Sequence, residues 1–204
     1  MELSSYDSIA ILSFAQEPEY PRLSRAVLAE LRDQLSAVQA ADCFEGLVIA
    51  ANARSFAVGA ALEEVAELSG VAAFEFARLG QAVLRAVTDS RLPVIAAIRG
   101  FCLGGGLDLA LACHSRVAAY NSSFGYPGGA LGTMTGWGGT GRLFQRIGRA
   151  AALQMFVTGE RVPATQALAI GLVDELVPSA DLLPAAVRAV QRVKAAMAST
   201  ESGV

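Results

Sequence analysis

The stretch from Pro93 to Cys113 constrains this chain's fold more than any other. It reads Pro-Val-Ile-Ala-Ala-Ile-Arg-Gly-Phe-Cys-Leu-Gly-Gly-Gly-Leu-Asp-Leu-Ala-Leu-Ala-Cys. The apolar run Val94 to Ile98 predicts a buried strand. Gly104, Gly105 and Gly106 follow, and Leu107, Leu109, Ala110 and Leu111 then continue with helical rather than alternating spacing. A strand that turns through glycines into a helix leaves backbone N–H groups unspent at the helix start. Those donors and the helix dipole suit a negatively charged oxygen. Glycines also let a ligand come up to the backbone. A tight turn that holds no ligand has the same sequence, so the decision falls to other segments.

The elements around this stretch alternate. Ser8 to Phe14 predicts a first strand, and the two prolines of Gln16 to Pro21 a loop. Leu23, Val27, Leu28, Leu31, Leu35 and Val38 recur at helical intervals. Gly46 to Ala51 reads as a buried strand, Asn52 to Gly59 as a loop or short strand, and Ala60 to Leu68 and Phe74 to Val87 as helices. Beyond the central stretch, Arg116 to Tyr120 is a short strand and Phe124 to Gly141 a long glycine-rich passage. Leu143 to Val157 is a helix with a break near Gly148, and Ala164 to Ile170 is a short helix ended by Gly171. Leu172 to Val177 is a strand stopped by Pro178, and Leu182 to Met197 a last helix. Strands alternating with helices predict an α/β fold. No linker, low-complexity segment or clear internal repeat is visible.

Hydrophobic residues make up 53% of the 204 positions and charged ones 17%. Arg99 and Asp108 interrupt the apolar runs before they reach the roughly eighteen residues of a membrane span. Met1 to Asp7 has neither the basic region nor the apolar core of a signal peptide. The surplus is therefore assigned to subunit contact, and the chain is expected in the cytoplasm. A net charge of −3 with no basic block argues against nucleic acid. Cys43, Cys102 and Cys113 are an odd number in apolar settings, as reduced thiols would be. The single histidine, His114, follows Cys113 without metal-ligand spacing, so both are expected to pack where the helix ends.

Ser55-Phe-Ala-Val-Gly59-Ala60 repeats the opening pattern of buried strand, glycine turn and helix start. If the fold brings the two turns together, one N–H from each can converge on one oxygen. Two preorganised donors at a carbonyl that becomes an oxyanion support acyl-group or enolate chemistry, and losing one typically costs about 3–4 kcal/mol.

At this point the chain resembles the crotonase superfamily, the enoyl-CoA hydratase/isomerase proteins. Phe56-Ala-Val-Gly59-Ala60-Ala61-Leu62 resembles the family's Phe-Ala-Ala-Gly-Ala-Asp-Ile. Pro93 to Gly106 resembles Pro-Val-Ile-Ala-Ala-Val-Asn-Gly-x-Ala-x-Gly-Gly-Gly. Leu131-Gly-Thr-Met-Thr-Gly136-Trp-Gly-Gly-Thr140-Gly-Arg142-Leu resembles Leu-Gly-x-x-Pro-Gly-x-Gly-Gly-Thr-Gln-Arg-Leu. Thr158-Gly-Glu-Arg and Ala164 to Asp174 resemble later family motifs. The match is weak before about Gly46 and covers most of the chain to Pro178.

The resemblance implies a crotonase-like spiral of ββα repeats, assembled as a homo-oligomer of three or six subunits. It implies an acyl-CoA thioester as ligand, and no cofactor beyond the coenzyme A of the substrate. Carried over by position, the N–H groups of Ala60 and Gly105 form the oxyanion hole, and Asp108 takes the place of the first of two catalytic glutamates. Ala57, Gly59, Phe101, Leu103 and Gly104 are expected to bind substrate. So are Tyr126, Pro127, Gly128 and Thr133.

The pattern also fails in places. The second family glutamate falls at Gly128, and a carboxylate that some family isomerases carry later falls near Gly136. Tyr126 beside the gap can donate a proton or simply pack, and Glu63 and Glu64 can replace a lost acid or lie on an exposed helix face. Trp137 packs near the acyl pocket or a subunit contact. Arg22 can meet a coenzyme A phosphate or lie solvated. The chain stops soon after the last helix, so the C-terminal helical region reads as truncated, with a core over 1–178 and a short helical segment over 179–204. A single matched carboxylate fits isomerisation, or atypical hydration, of an enoyl-CoA. Decarboxylation, thioester hydrolysis and an inactive acyl-CoA-binding homologue are the alternatives.

Overall fold

The computed structural model describes residues 1–201. A six-stranded sheet runs in the order β1-β2-β3-β4-β6-β9, and a smaller sheet in the order β5-β7-β8. In the large sheet β1 (Glu2–Tyr6) lies antiparallel to β2 (Ile9–Ser13) at the edge. From β2 onward the neighbours β3 (Gly46–Ala50), β4 (Val94–Ile98), β6 (Ser115–Ala119) and β9 (Glu175–Val177) are parallel. All five residues of β3, β4 and β6 are buried. Both faces of these strands are covered, which is why β3 and β4 read as continuous apolar runs and not as alternating ones. The first strand, β1, is exposed throughout.

Two of the three short strands of the smaller sheet directly follow strands of the large one. β5 (Phe101–Leu103) pairs parallel with β7 (Ser123–Gly125), and β7 antiparallel with β8 (Val162–Pro163). An isolated parallel bridge from Ala57 to Cys102 extends it by one position after β3. The chain thus repeats a unit: a long buried strand, a short strand in the second sheet, then a helix. β3 leads through the Ala57 bridge to α2 (Leu62–Ala66) and α3 (Gly70–Thr88). β4 and β5 lead to α4 (Gly105–Ala112), and β6 and β7 to α5 (Gly139–Thr158). These are the ββα turns expected from the family resemblance.

Helix α1 (Arg25–Ala40) starts at Ser24, whose hydroxyl accepts the Val27 N–H at 3.2 Å. A serine cap of this kind contributes about 1 kcal/mol. Its stripe of Leu28, Leu31, Leu35 and Val38 is buried. α3 begins four residues before the predicted Phe74 because Ser69 caps it, accepting from the Ala72 N–H. α5 is broken at Gly148 (φ 77°), as its sequence predicts. The short α6 (Ala164–Ala169) ends before Gly171 (φ 76°).

Two apolar clusters lie on opposite faces of the large sheet. The larger gathers Leu12, Leu47, Ile49 and Ile98 with α1, α3 and α4. On the other face Ile11, Val48, Ile95 and Val117 meet Leu182, Ala185, Ala186, Ala189 and Val190 of α7 (Leu182–Glu201). The last helix is therefore packed directly on the sheet. No helix among the described residues is long and apolar enough to cross a membrane.

Candidate active site

The two glycine turns meet. Ala57 and Cys102 lie side by side, with the Leu103 N–H donating to the Ala57 carbonyl at 2.9 Å and the Ala57 N–H to the Phe101 carbonyl at 3.2 Å. This parallel pairing carries both chains to the same level before they turn. A β-carbon placed on Gly59 would stand 3.6 Å from the Gly105 nitrogen, and one on Gly104 would stand 3.7 Å from the Gly59 α-carbon. Gly104 adopts φ 52°, ψ −122°, a backbone state open to glycine alone. At Gly106 a β-carbon would fall 2.3 Å from the Ala57 carbonyl oxygen, so the absence of a side chain there lets the turns touch.

Ala60 and Gly105 both line a cavity of about 480 Å³. Gly105 is the first residue of α4, and the first bond of that helix runs from the Asp108 N–H to the Gly104 carbonyl at 3.0 Å. Among the described residues neither the Ala60 nor the Gly105 N–H is spent on a turn or loop hydrogen bond. The neighbouring donors are used: the Gly104 N–H goes to the Gly125 carbonyl at 2.9 Å, and the Leu23 N–H to the Gly59 carbonyl at 2.8 Å.

The rest of the cavity is largely apolar. Val65, Leu68 and Phe76 come from the α2–α3 region, and Met134 and Phe156 from the opposite side. Trp137, itself buried, lines the cavity as well. Its ring lies edge-on to Phe76, with centroids 5.4 Å apart. It also fills the space that β-carbons on Gly80 and Gly105 would need, each only 2.3 Å from a ring atom. At the mouth the Arg22 guanidinium pairs with Glu63, and both line the cavity. Glu64 turns away, accepting the Arg25 N–H at the start of α1 at 3.0 Å.

Of the residues expected to bind substrate, Gly59, Gly104, Tyr126, Pro127, Gly128 and Thr133 line this cavity. Ala57, Phe101 and Leu103 do not. Ala57 is fully buried under Gly106. Phe101 packs with Tyr20 at 5.9 Å and lies under the Arg161 guanidinium, so its ring serves the surface loops. Leu103 contributes its backbone to the pairing of the two turns.

Asp108 departs most from expectation. It does not reach over the cavity, and its side chain is wholly buried behind the wall. The Tyr126 hydroxyl donates to Oδ1 at 2.8 Å, and the Thr135 hydroxyl donates to Oδ2. Tyr126 and Thr135 line the cavity, so they stand between the carboxyl and any ligand. Burial pushes the Asp108 carboxyl above its ordinary range. The bonds from Thr135 and Tyr126, the charge of Arg142 and the Trp137 backbone N–H act in the opposite direction. Burial and the neighbouring carboxylate push the Tyr126 phenol well up. Gly139 makes room for the pair, because a β-carbon there would lie 1.8 Å from Asp108 Oδ1.

Gly128 lies at the wall with no side chain to transfer a proton. The Thr133 N–H donates to its carbonyl at 2.9 Å, and a β-carbon on it would meet Thr133 Oγ1 at 2.7 Å. Outside the cavity, His114 Nδ1 accepts the Val94 N–H at 3.0 Å, and burial raises the Cys113 thiol to about 12. Both therefore serve packing.

The sequence matches the model of the family described as Enoyl-CoA hydratase/isomerase over residues 4–201. The chain belongs to the enoyl-CoA hydratase/isomerase family. It is 38% identical over 183 residues to the crotonyl-CoA hydratase of Syntrophomonas wolfei, covering 89% of this chain and 70% of that protein. To the fatty acid oxidation complex subunit alpha of Shewanella halifaxensis it is 39% identical over 186 residues, 89% of this chain but 26% of that one. Among solved structures it is similar to Pseudomonas aeruginosa DspI, with a TM-score of 0.89, 32% identity, and 94% of this chain on 73% of that one. A similar likeness holds for an enoyl-CoA hydratase from Bacillus anthracis, with a TM-score of 0.88, 30% identity, and coverage of 94% and 75%.

Within this enoyl-CoA hydratase/isomerase chain, Thr135 and Gly139 belong to the site but were not singled out from the sequence. Thr135 stands where the family motif has proline. That substitution was the only available signal, and it is silent about where the hydroxyl points.

Proposed function

We propose that this chain binds an acyl-CoA thioester, stabilises its enolate with the Ala60 and Gly105 N–H groups, and isomerises an enoyl-CoA. One observation carries the reading: two glycine turns from distant parts of the chain touch at one wall of an apolar cavity, each with an unspent backbone N–H. Donors fixed before the reaction stabilise the developing oxyanion with no reorganisation cost. The coenzyme A part would extend toward the mouth, where Arg22 lines the wall.

Isomerisation is favoured over two-carboxylate hydration because Gly128 offers no second acid. Removing a proton from the α-carbon of the thioester to form the enolate, and returning one at the γ-carbon, requires a single proton-transferring unit. The test compares two reactions of the purified protein. Incubation of a 3-enoyl-CoA should yield the conjugated 2-enoyl thioester, with deuterium from heavy water incorporated at carbon. Net addition of water to crotonyl-CoA at a comparable rate would overturn the isomerase assignment.

A second reading has its own support. Both Asp108 oxygens are satisfied within the protein, as expected if the fold held acyl-CoA without acting on it. Saturable binding without proton exchange would select that reading.

A further inference from the structure

Among the described residues Asp108 is the one buried carboxylate, and it lies behind the cavity wall without lining it. Its Oδ1 is held by the buried phenol of Tyr126, and its Oδ2 takes the hydroxyl of Thr135. Thr135 is only half-buried and lines the cavity. An aspartate is one methylene shorter than the glutamate that the family motif places here. The added hydroxyl sits where that motif has proline. The two departures occur together and on one hydrogen bond.

We infer that Thr135 is the group that touches the substrate, and that Asp108 is a positioning and proton-holding residue acting through it. The inference rests on the enolate chemistry proposed above. In the forward step the proton on the α-carbon passes to Thr135 Oγ1 while the hydroxyl proton of Thr135 passes to Asp108 Oδ2. The C–H electron pair forms the enolate double bond, and the carbonyl pair moves onto the thioester oxygen facing Ala60 and Gly105. Asp108 is then a neutral acid donating to Thr135, whose own proton faces the cavity and exchanges there with solvent before it is returned to carbon. Return of that proton to the γ-carbon restores the carboxylate and completes the double-bond shift. No other reactant is consumed.

The environment suits both states. Two donated hydrogen bonds support the carboxylate, while burial, the larger influence, favours the acid. Tyr126 keeps Oδ1 occupied, which leaves Oδ2 as the exchanging oxygen. Gly139 supplies the space in which this alignment exists.

The experiment follows α-proton exchange of butyryl-CoA in heavy water by NMR, with butyryl-CoA affinity measured separately by calorimetry. Thr135→Val keeps the shape of the side chain and removes the hydroxyl. It should slow exchange by roughly 10²–10⁴-fold, the usual contribution of a positioned acid/base group, with affinity little changed. Thr135→Ser should recover most of the rate and keep the parent's pH profile. In Thr135→Val the residual exchange should lose the ionisation assigned to Asp108. A Thr135→Val protein that folds, binds and exchanges at the parent rate overturns the relay while leaving the enolate reading intact. If Thr135→Val is poorly folded, a Thr135→Ser protein that melts like the parent but recovers none of the parent's exchange also overturns it. A parent protein that binds butyryl-CoA but exchanges no α-proton overturns both.

Discussion

The two walls of the cavity are made of different material. One is backbone: Gly59, Ala60, Gly104 and Gly105 present peptide groups, and their positions follow from the pairing of Ala57 with Cys102. The other is side chain: Tyr126 and Thr135 stand over the buried Asp108. Peptide groups held between two strands have few alternative positions, so the first wall is fixed by the fold itself. Hydroxyls and carboxyls can be exchanged or re-paired without moving a strand, so the second wall is where the reaction can change while the fold persists.

The sharpest break of the first wall is Gly106→Ala. Its β-carbon would stand 2.3 Å from the Ala57 oxygen and 2.8 Å from the Ala57 carbonyl carbon, both backbone. No side chain can yield, so the turns must part. A loss of about 3 kcal/mol, the upper end of overpacking costs, is expected in urea melts. Acyl-CoA binding should fall with it. An unchanged melting midpoint with intact binding would show that the contact between the turns does not matter.

Gly139→Ala breaks the second wall instead. The new β-carbon would displace Asp108 Oδ1 and lie 2.5 Å from the Tyr126 hydroxyl. The cost should be smaller, about 1–2 kcal/mol, because side chains can move where backbone cannot. Proton exchange should fall while acyl-CoA affinity persists, since the backbone wall is untouched. Equal losses of affinity in the Gly106 and Gly139 variants would erase the distinction between the walls.

The same contrast explains what was legible in the sequence. The backbone wall was readable because its parts are local: a buried apolar run, a glycine turn and a helix start are each written in consecutive residues. β4 appears over the run Val94 to Ile98 as predicted, and the break at Gly148 falls inside α5. β1 was not readable. Its residues are exposed throughout, so no apolar alternation marks them, and pairing with β2 alone makes it a strand. The side-chain wall is not legible in the sequence for a related reason. One helical turn beyond Gly105 puts Asp108 near the cavity, but whether its carboxyl faces in or back depends on Tyr126 and Thr135, eighteen and twenty-seven positions later. Spacing along one helix carries no information about such partners.

Asp108→Asn sharpens the comparison through pH. The folded protein holds the Asp108 carboxyl above its ordinary value, with burial as the leading cause. The favourable contribution of the neutral acid is therefore complete below the ordinary carboxylate range and is lost as pH rises through the raised folded value. Asparagine is neutral throughout and can still accept from one hydroxyl and donate to the other. The variant should match the parent in acid and melt higher at neutral pH, while proton exchange is lost. A stability difference that does not narrow on acidification would mean that Asp108 carries no buried charge.

The smallest expected effect comes from returning a carboxylate to the wall at Gly128. A β-carbon there meets Thr133 Oγ1 at 2.7 Å and the Thr133 carbonyl oxygen at 3.0 Å. Gly128→Glu alone must therefore push the loop outward and misplace its own carboxyl. Combining it with Thr133→Ala removes the nearer obstacle and leaves a contact that a shift of a few tenths of an ångström relieves. The double variant should hydrate crotonyl-CoA slowly but measurably faster than Gly128→Glu, with butyryl-CoA affinity retained because the Ala60 and Gly105 turns are unaltered. If the single and double variants hydrate equally, Thr133 does not control this position. The wall then lacks hydratase activity for want of a partner for the new acid, which returns the question to Asp108 and the hydroxyl that covers it.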